Sequence, residues 1–271
     1  MVSSDPLKLM AIFAHPDDES MGLGSTLARY AAEGVATYLV CATRGEKGWF
    51  GDEADHPGAQ KLGQIRQAEL SEAAKVLGLR QVDFLDFIDG ELAASDSGLA
   101  IQRIVSCIRA VRPQVVVSFG PEGDYGHPDH IAIFQLTAAA LVAAADPAFA
   151  QNGAQPHRVS KFYSMVNSPA LVDLLRAYFD DITFEVDGTV RSSVAMPDWA
   201  ITTRLDHTAY WQTARQAILC HRSQLPSLGG ITRFSDQDWK TLLCELNTYY
   251  RIYSQVPVHP GLETDLFHGL R

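Results

Sequence analysis

The sequence predicts a three-layer, Rossmann-like α/β fold with a mostly parallel sheet. Apolar runs of strand length alternate with amphipathic runs of helix length through residues 1–145, the order from which such sheets are built. The strand-length runs are apolar throughout, which indicates strands that are buried on both faces. Hydrophobic residues make up 46% of the 271-residue chain, so a sizeable core is available.

The first half supplies four strands and four helices. Gly34 and Gly78 stand where the first two helices should end, and Pro113 stops the third helix. Pro128 suits the first turn of the fourth helix, where no backbone N–H is needed. The predicted strands are residues 9–14, 35–42, 82–85 and 115–119, and the predicted helices are residues 21–33, 60–77, 99–111 and 128–145.

The remaining segments do not repeat this alternation. Residues 43–59 contain five glycines or prolines and form a loop too long for a simple connector. Within a single domain over residues 1–271, residues 146–271 are predicted to be an irregular α+β region that flanks the first half and shapes a pocket. Its predicted elements are a strand at 162–166, helices at 169–179, 207–221 and 236–250, and a hairpin at 184–190 with an Asp187-Gly188 turn.

Two polar clusters directly follow two of the predicted strands. His15-Pro16-Asp17-Asp18-Glu19 comes after the first strand, and Asp124-Tyr125-Gly126-His127-Pro128-Asp129-His130 comes after the fourth. Ligands bind beyond the carboxyl ends of the strands in open α/β sheets. We therefore expect both clusters to contribute to one site.

The residue types in these clusters suit a catalytic metal centre. Two histidines and one aspartate would supply three ligands and leave one position open, as in catalytic zinc sites. Spacing alone does not decide between Asp17 and Asp18, or between His127 and His130, as ligands. A carboxylate next to a ligand could act as general base, and a carboxylate near a histidine could hold a positive imidazolium.

Composition argues against several other classes of function. The formal net charge of −10 disfavours nucleic acid and anionic membranes as partners. The polar start and the short apolar run after it predict neither a signal peptide nor a membrane span, so we predict a cytoplasmic protein. Scattered cysteines are typical of free thiols in a reducing compartment; they are Cys41, Cys107, Cys220 and Cys244.

Nucleotide binding is a weaker interpretation of the region after the first strand. Gly22 and Gly24 form only part of a dinucleotide fingerprint, because Leu27 occupies the third glycine position. We expect these glycines to permit close packing of the helix on the sheet instead. The sequence context of His221 does not decide its role, and no role is assigned to His56, His157, His207, His259 and His268.

The two clusters also carry a family resemblance. Ala14-His15-Pro16-Asp17-Asp18-Glu19 together with His127-Pro128-Asp129-His130 resembles the paired motifs of the LmbE-like, or PIG-L, family of zinc-dependent N-deacetylases. That family includes the deacetylases of N-acetylglucosaminyl-phosphatidylinositol and of the mycothiol and bacillithiol precursors. The resemblance covers residues 8–145 and returns faintly at His221-Arg222-Ser223-Gln224. It implies that the single domain is an LmbE-like deacetylase domain.

The resemblance implies a division of roles that spacing does not decide. By resemblance, the Zn²⁺ ligands are His15, Asp18 and His130, and Asp17 is the general base. It implies that His127, oriented by Asp129, stabilises the tetrahedral intermediate or donates a proton to the leaving amine.

The same resemblance points to three substrate-binding residues. Tyr125 matches a mobile tyrosine, Arg66 an arginine that holds sugar hydroxyls, and Glu46 a Gly-Glu loop at the pocket rim. The family pattern does not fix roles for Arg44 and Trp49.

The activity implied by the resemblance is removal of the acetyl group from an N-acetylglucosamine-type substrate, a small N-acetylated sugar conjugate. Fe²⁺ or Co²⁺ would also suit the ligand set, and the resemblance is compatible with a homo-oligomer. One alternative is a deacylase of another N-acylated small molecule. The other is a non-catalytic metal- or sugar-binding protein on the same fold.

Overall fold

The protein is built on a seven-stranded sheet against which helices pack. The computed structural model describes residues 6–149, 153–179, 183–186, 188–258 and 260–271. The described strands are β1 (Lys8–Phe13), β2 (Ala36–Cys41), β3 (Gln81–Phe84), β4 (Val115–Ser118), β5 (Lys161–Met165), β6 (Thr183–Val186), β7 (Thr189–Ser192), β8 (Thr203–Arg204) and β9 (Thr248–Ser254). The described α-helices are α1 (Asp18–Met21), α2 (Gly24–Ala32), α3 (Ala59–Leu77), α4 (Ser97–Val111), α5 (Pro128–Ala145), α6 (Pro169–Phe179), α7 (Trp211–Cys220) and α8 (Asp236–Glu245).

The strand order creates a crevice between β1 and β4. The order across the sheet is β3-β2-β1-β4-β5-β9-β8. Strands β1 to β5 run parallel, and β9 and β8 add antiparallel partners beyond β5. From β1 the chain adds β2 and β3 on one side, and it then adds β4 and β5 on the other side. The strands β1 and β4 therefore flank the topological switch point, where such folds bind ligands. The predicted fold class is confirmed.

The elements of the first half lie within one or two residues of their predicted bounds, with one exception. The predicted helix at 21–33 is two helices, α1 and α2, separated by a turn at Gly22 and Leu23. A Cβ atom on Gly22 would lie 2.7 Å from Met165 Cε, and one on Gly24 would lie 3.3 Å from Ala214 Cβ. Gly22 therefore lies close to β5 of the sheet, as predicted, whereas Gly24 packs against the helix α7 and not against the sheet.

The second half differs more from its prediction. The predicted helix at 236–250 is wrong after Glu245, because residues 248–254 form β9 and pair with β5. The predicted helix at 207–221 begins only at Trp211. The hairpin of β6 and β7 is confirmed, with Gly188 at φ 71°, whereas Asp187 of its turn lies outside the described residues.

Two groups of apolar side chains are buried. The larger one fills the space between the sheet and its helices. The smaller one, called here the helical cluster, is formed by Leu171, Ala214, Ile218, Ile231, Trp239, Leu242 and Leu243, mostly from α6, α7 and α8. In the described part of the chain, α5 alone has the length and apolar composition of a membrane-spanning helix, and half of it is buried inside the protein. The four cysteines are free thiols.

Candidate metal centre and active site

The two polar clusters meet at the carboxyl ends of β1 and β4. His15 Nδ1 lies 3.2 Å from His130 Nε2 and 3.7 Å from Asp18 Oδ2, and Asp18 Oδ1 lies 3.5 Å from His130 Nε2. His15 follows β1, Asp18 begins α1, and His130 lies in the first turn of α5. All three side chains are at most 9% exposed.

These three residues fit a tetrahedral metal ion. Ligand atoms at about 2.0–2.1 Å from a tetrahedral zinc ion are about 3.3–3.4 Å apart, close to the observed separations. Burial lowers the pKa of His130 well below its usual value, and the charges of His15 and His127 add to this effect. Burial also raises the pKa of Asp18 to about 8, against the opposing charge of His15. A buried cation between these atoms would favour a neutral His130 and an ionised Asp18.

His15 is held by two carboxylates on the side away from Asp18 and His130. Its Nε2 lies 3.1 Å from Asp89 Oδ1 and 3.3 Å from Asp129 Oδ2. Burial opposes protonation of His15, but the hydrogen bonds to Asp129 and Asp89 and the charges of Asp18 and Asp89 together outweigh it and raise its pKa to about 10. Carboxylates in such positions orient a metal-binding histidine.

Asp89 was not among the residues predicted for the site. A signal for it exists in the sequence, because Asp89-Gly90-Glu91 follows β3 at the edge that carries the other two clusters.

That Asp129 orients His127 stays a prediction, and the Asp129 carboxylate has several other partners. It is directed at His15 and also accepts hydrogen bonds from the backbone N–H groups of Gly90, at 2.7 Å, and Leu92, at 3.1 Å. The backbone N–H of Asp129 donates to His127 Nδ1 at 3.1 Å, because His127 is the N-cap residue of α5. A neutral His127 therefore carries its proton on Nε2.

Geometry keeps a second ligand assignment open. Nitrogen atoms of His15, His127 and His130 all lie within 4.8 Å of one another. Because His127 Nδ1 accepts the Asp129 N–H, His127 would bind a metal ion through Nε2.

Asp17 is held in an unusual backbone conformation. Its φ angle is 126°, which residues other than glycine rarely adopt. The Nη2 atom of Arg66 lies 3.2 Å from Asp17 Oδ2 and donates to the Pro16 carbonyl at 2.6 Å, while Nη1 donates to the Gly45 carbonyl at 3.0 Å. Burial raises the pKa of Asp17, and the Arg66 guanidinium opposes this increase.

A buried network supports Asp17 from its other side. The Glu19 carboxylate accepts the Asp17 backbone N–H at 3.0 Å, and its other oxygen lies 2.8 Å from His221 Nε2. Ser20 Oγ contacts both Glu19 and His221. Glu19, Ser20 and His221 are each at most 1% exposed. His221 thus ends α7 beside the Asp17 turn, a role that its sequence context did not reveal.

The three predicted substrate-binding residues occupy different positions. Tyr125 lies in the cavity wall, with its ring centroid 5.3 Å from that of His130. Arg66 also lines the cavity, although its guanidinium is buried against backbone carbonyls. Glu46 accepts hydrogen bonds from the backbone N–H groups of Arg44, at 3.3 Å, and Asp89, at 3.4 Å, so it braces the rim.

Arg44 and Trp49 have local partners. Arg44 pairs with Asp86 and donates to Gln67, and Trp49 donates to the Asp52 carbonyl.

The candidate metal centre lies at one end of a cavity of about 800 Å³. The metal-centre residues, Asp17, Tyr125 and His127 all contribute to its wall. A volume of this size can hold a drug-sized ligand.

Comparisons with known proteins agree with this geometry. The family described as "PIG-L: GlcNAc-PI de-N-acetylase" matches residues 10–141. A 1D-myo-inositol 2-acetamido-2-deoxy-alpha-D-glucopyranoside deacetylase from Thermobifida fusca is 34% identical over 289 residues, covering 96% of this chain and 98% of that protein.

Two solved structures share the fold at lower sequence identity. The N,N'-diacetylchitobiose deacetylase of Pyrococcus horikoshii superposes with a TM-score of 0.65 at 21% identity, covering 92% of this chain and 84% of that one. A 4-carboxy-2-hydroxymuconate hydratase from Pseudomonas putida superposes with a TM-score of 0.64 at 20% identity, covering 93% and 99%. The fold therefore supports more than one reaction, but the near full-length similarity in sequence shows that this chain belongs to the PIG-L, or LmbE-like, family of N-deacetylases.

Proposed function

We propose that this chain is a metal-dependent hydrolase that removes the acetyl group from an N-acetylglucosamine-type substrate. The observation that carries the proposal is the convergence of His15, Asp18 and His130 on one point, with Asp17 beside them in a large cavity. The relative from Thermobifida fusca is named for the same type of reaction on an inositol glycoside.

The proposed resident metal is Zn²⁺, held by His15 Nδ1, His130 Nε2 and Asp18. Two imidazoles and one carboxylate suit zinc in a catalytic site, and Fe²⁺ or Co²⁺ would also be accepted. When bound, such an ion lowers the pKa of a coordinated water and polarises a carbonyl group.

The protein's own residues supply the proton transfers. Asp17 accepts a proton from the attacking water at a carboxylate oxygen, and Arg66 holds that carboxylate in place. His127 donates from Nε2 to the oxygen that becomes negative as the tetrahedral intermediate forms. The proton held by Asp17 is then transferred to the amide nitrogen, the C–N bond breaks, and acetate and the free amine are released.

The pocket residues complete the proposal. Tyr125 contacts the substrate from the cavity wall. Arg66 has two roles: it contacts sugar hydroxyls and it positions Asp17. Glu46 acts at the rim through the loops it braces.

The proposal is tested by measuring acetate release and bound metal on the same samples. We expect the metal-loaded protein to deacetylate N-acetylglucosaminyl-inositol or a simple N-acetylglucosaminide, and to lose this activity on chelation. Asp18→Ala should lose the metal, whereas Asp17→Asn should keep it and lose about 10²–10⁴ in kcat. Near wild-type turnover by Asp17→Asn would rule out the general-base assignment.

The same samples decide between the alternatives. Full metal occupancy without amine release from any N-acetylated sugar would support a binding protein. Release of amine only from other N-acylated compounds would support the broader deacylase. His127→Ala should retain metal and lose about 10²–10³ in kcat; loss of metal would show instead that His127 is a ligand.

A further inference from the structure

The cavity extends well beyond the metal centre, into a region lined by the second half of the chain. Its volume of about 800 Å³ exceeds what one acetylated sugar ring needs. Beyond Asp17 and Asp18, the wall includes side chains of α6, α7, α8 and the turn that follows α7, together with residues at the ends of β5 and β9. Many of these side chains belong to the helical cluster.

The two ends of the cavity differ sharply in charge. All acidic, basic and histidine side chains among the described lining residues come from positions 15–130. The described lining residues from Met165 onward carry no charged group. The far end therefore offers no charged side chain to a phosphate, a carboxylate or a cation. Its lining includes uncharged polar groups, among them Asn167, Gln224 and Asn247, and apolar side chains of α6, α7 and α8 that suit an apolar group.

The far end also leaves apolar surface uncovered. Leu171, Ile218 and Leu243 are at most 2% exposed and form the back of the wall. In front of them are side chains that remain partly exposed towards the cavity: Met21, Leu175, Phe179, Leu228 and Leu246. Covering such surface with an apolar group is favourable. Phe50, which is 50% exposed, extends the apolar surface to the rim.

We propose that this region is an apolar subsite for the aglycone, so that the substrate is an N-acetylglucosaminide with an alkyl or aryl group at the anomeric position. The inference rests on the proposed function, because the metal centre and Asp17 must hold the acetamido group at the other end. If the released acyl group is acetyl, it is too small to reach this region. An apolar substituent that reaches it must then be attached to the sugar itself, and we place it at the anomeric carbon, which carries the inositol in the substrate for which the relative from Thermobifida fusca is named.

The test is a series of substrates that differ only in the length of the aglycone. We expect kcat/KM for methyl, butyl and octyl N-acetylglucosaminide to rise by about threefold for each methylene that enters the subsite. The methyl-to-butyl step alone should give more than about tenfold, mostly through KM. The kcat/KM for N-acetylglucosaminyl-inositol should be close to that for the methyl glycoside.

A second series separates the aglycone from the acyl chain. Methyl glucosaminides that carry N-butanoyl or N-octanoyl groups should be turned over more slowly than the N-acetyl compound. A rise along this acyl series would overturn the proposal, since the subsite would then hold the acyl group.

Two variants connect the preference to the subsite. Leu175→Ser and Leu228→Ser change partly exposed lining residues, so folding should tolerate both, and each should lower the octyl-to-methyl ratio of kcat/KM by at least about fivefold. Val142→Ser is the matched control, because Val142 is 75% exposed on α5, and the ratio should not change.

The results distinguish failure of this inference from failure of the proposed function. Turnover of the methyl glycoside with equal kcat/KM along the aglycone series would overturn the subsite and leave the deacetylase function standing. Lack of turnover of any N-acetylglucosaminide would overturn both.

Discussion

Asp17 is the residue on which most of the site's local structure depends. Among the described residues, four that are not glycine have positive φ angles, and two of these, Asp17 and Asp124, lie in the polar clusters. Such conformations cost about 1–3 kcal/mol each and persist only where neighbouring contacts enforce them. For Asp17 these contacts come from Glu19 and Arg66. The proposed base is therefore held by residues far apart in the chain.

The buried pair of Glu19 and His221 should be essential for this arrangement. Burial disfavours both charges, but each partner's charge outweighs it, so the pKa of Glu19 is lowered and that of His221 is raised. Glu19→Gln leaves a buried imidazolium without its counter-ion, which costs about 3–5 kcal/mol. We expect a large loss of stability in chemical denaturation and a fall in kcat greater than any rise in KM, because the Asp17 turn is no longer held.

An exposed ion pair next to His221 provides the control. Arg222 Nη1 lies 2.9 Å from Glu72 Oε2, and the two side chains are 60% and 48% exposed. Glu72→Gln should leave both the free energy of unfolding and kcat close to their wild-type values, because exposed ion pairs contribute little. Equal effects of Glu19→Gln and Glu72→Gln would show that the buried pair does not position Asp17.

The sequence could predict the site residues that are close together in the chain. It could not predict the distant residues that contact them only in the folded protein. His15, Asp18, His127 and His130 are recognisable because each cluster ends a strand. The partner of Glu19 lies 202 residues away in the chain, and no local pattern connects Glu19 with His221. The direction of the Asp129 carboxylate was likewise hidden, because its backbone partners belong to a loop after β3.

At the level of elements, the least predictable feature is the change from α8 to β9. Residues 236–250 carry apolar side chains at helical spacing, and nothing in that spacing marks Glu245 as the end. The residues that follow form a strand because they pair with the edge of β5. The antiparallel pairs run from Lys161↔Ser254 to Met165↔Tyr249. A contact between distant segments thus overrides the local pattern. In the first half, by contrast, Gly78 and Pro113 end α3 and α4 through local effects, so the ends of these helices could be predicted from the sequence.

His207 contacts α2 directly and β9 through Thr26, and it should make stability depend on pH. Its Nε2 lies 2.8 Å from Thr26 Oγ1 of α2, and Thr26 also contacts Tyr249 of β9. Burial lowers the pKa of His207 to about 4, with a smaller effect from Arg29. Between pH 4 and the unfolded value of 6.5 the unfolded chain binds more protons than the folded one, so stability is lost as pH falls through this window.

The contribution of His207 can be isolated with a variant that does not titrate. We expect the free energy of unfolding of the wild type to fall by up to about 3 kcal/mol more than that of His207→Gln between pH 6.5 and pH 4. Urea denaturation of both proteins at several pH values measures this difference. Parallel pH profiles for the two proteins would show that His207 is not buried in its neutral form.

At the scale of the whole molecule, the two halves of the chain share one sheet and one cavity. The first half contributes β1 to β4 and the metal-centre residues, and the second half adds β5, β9 and β8 along the edge of β4. The second half also supplies the uncharged end of the cavity and the His221 side chain that meets Glu19. We therefore propose that residues 1–271 form a single domain, although the metal-site core lies within residues 1–145.

This proposal predicts that a fragment of residues 1–145 does not fold alone. Without β5, β4 loses its parallel pairing from Val115↔Lys161 to Ser118↔Ser164. The apolar surface of the first half that packs against the buried side chains of Phe162 and Tyr163 also becomes exposed to water. Glu19 also loses its contact with His221, which helps to hold the Asp17 turn. Since whole domains are stable by only about 5–15 kcal/mol, these losses should leave the fragment unfolded.

Circular dichroism and amide hydrogen exchange on the fragment and the full chain check this expectation. The full chain should unfold in one cooperative transition with strong protection in β1 and β4. The fragment should show little protection at any amide, and no metal should bind to it with the affinity of the full chain. A protected, metal-binding fragment would mean that the first half is a domain in its own right, to which the second half adds only the pocket wall.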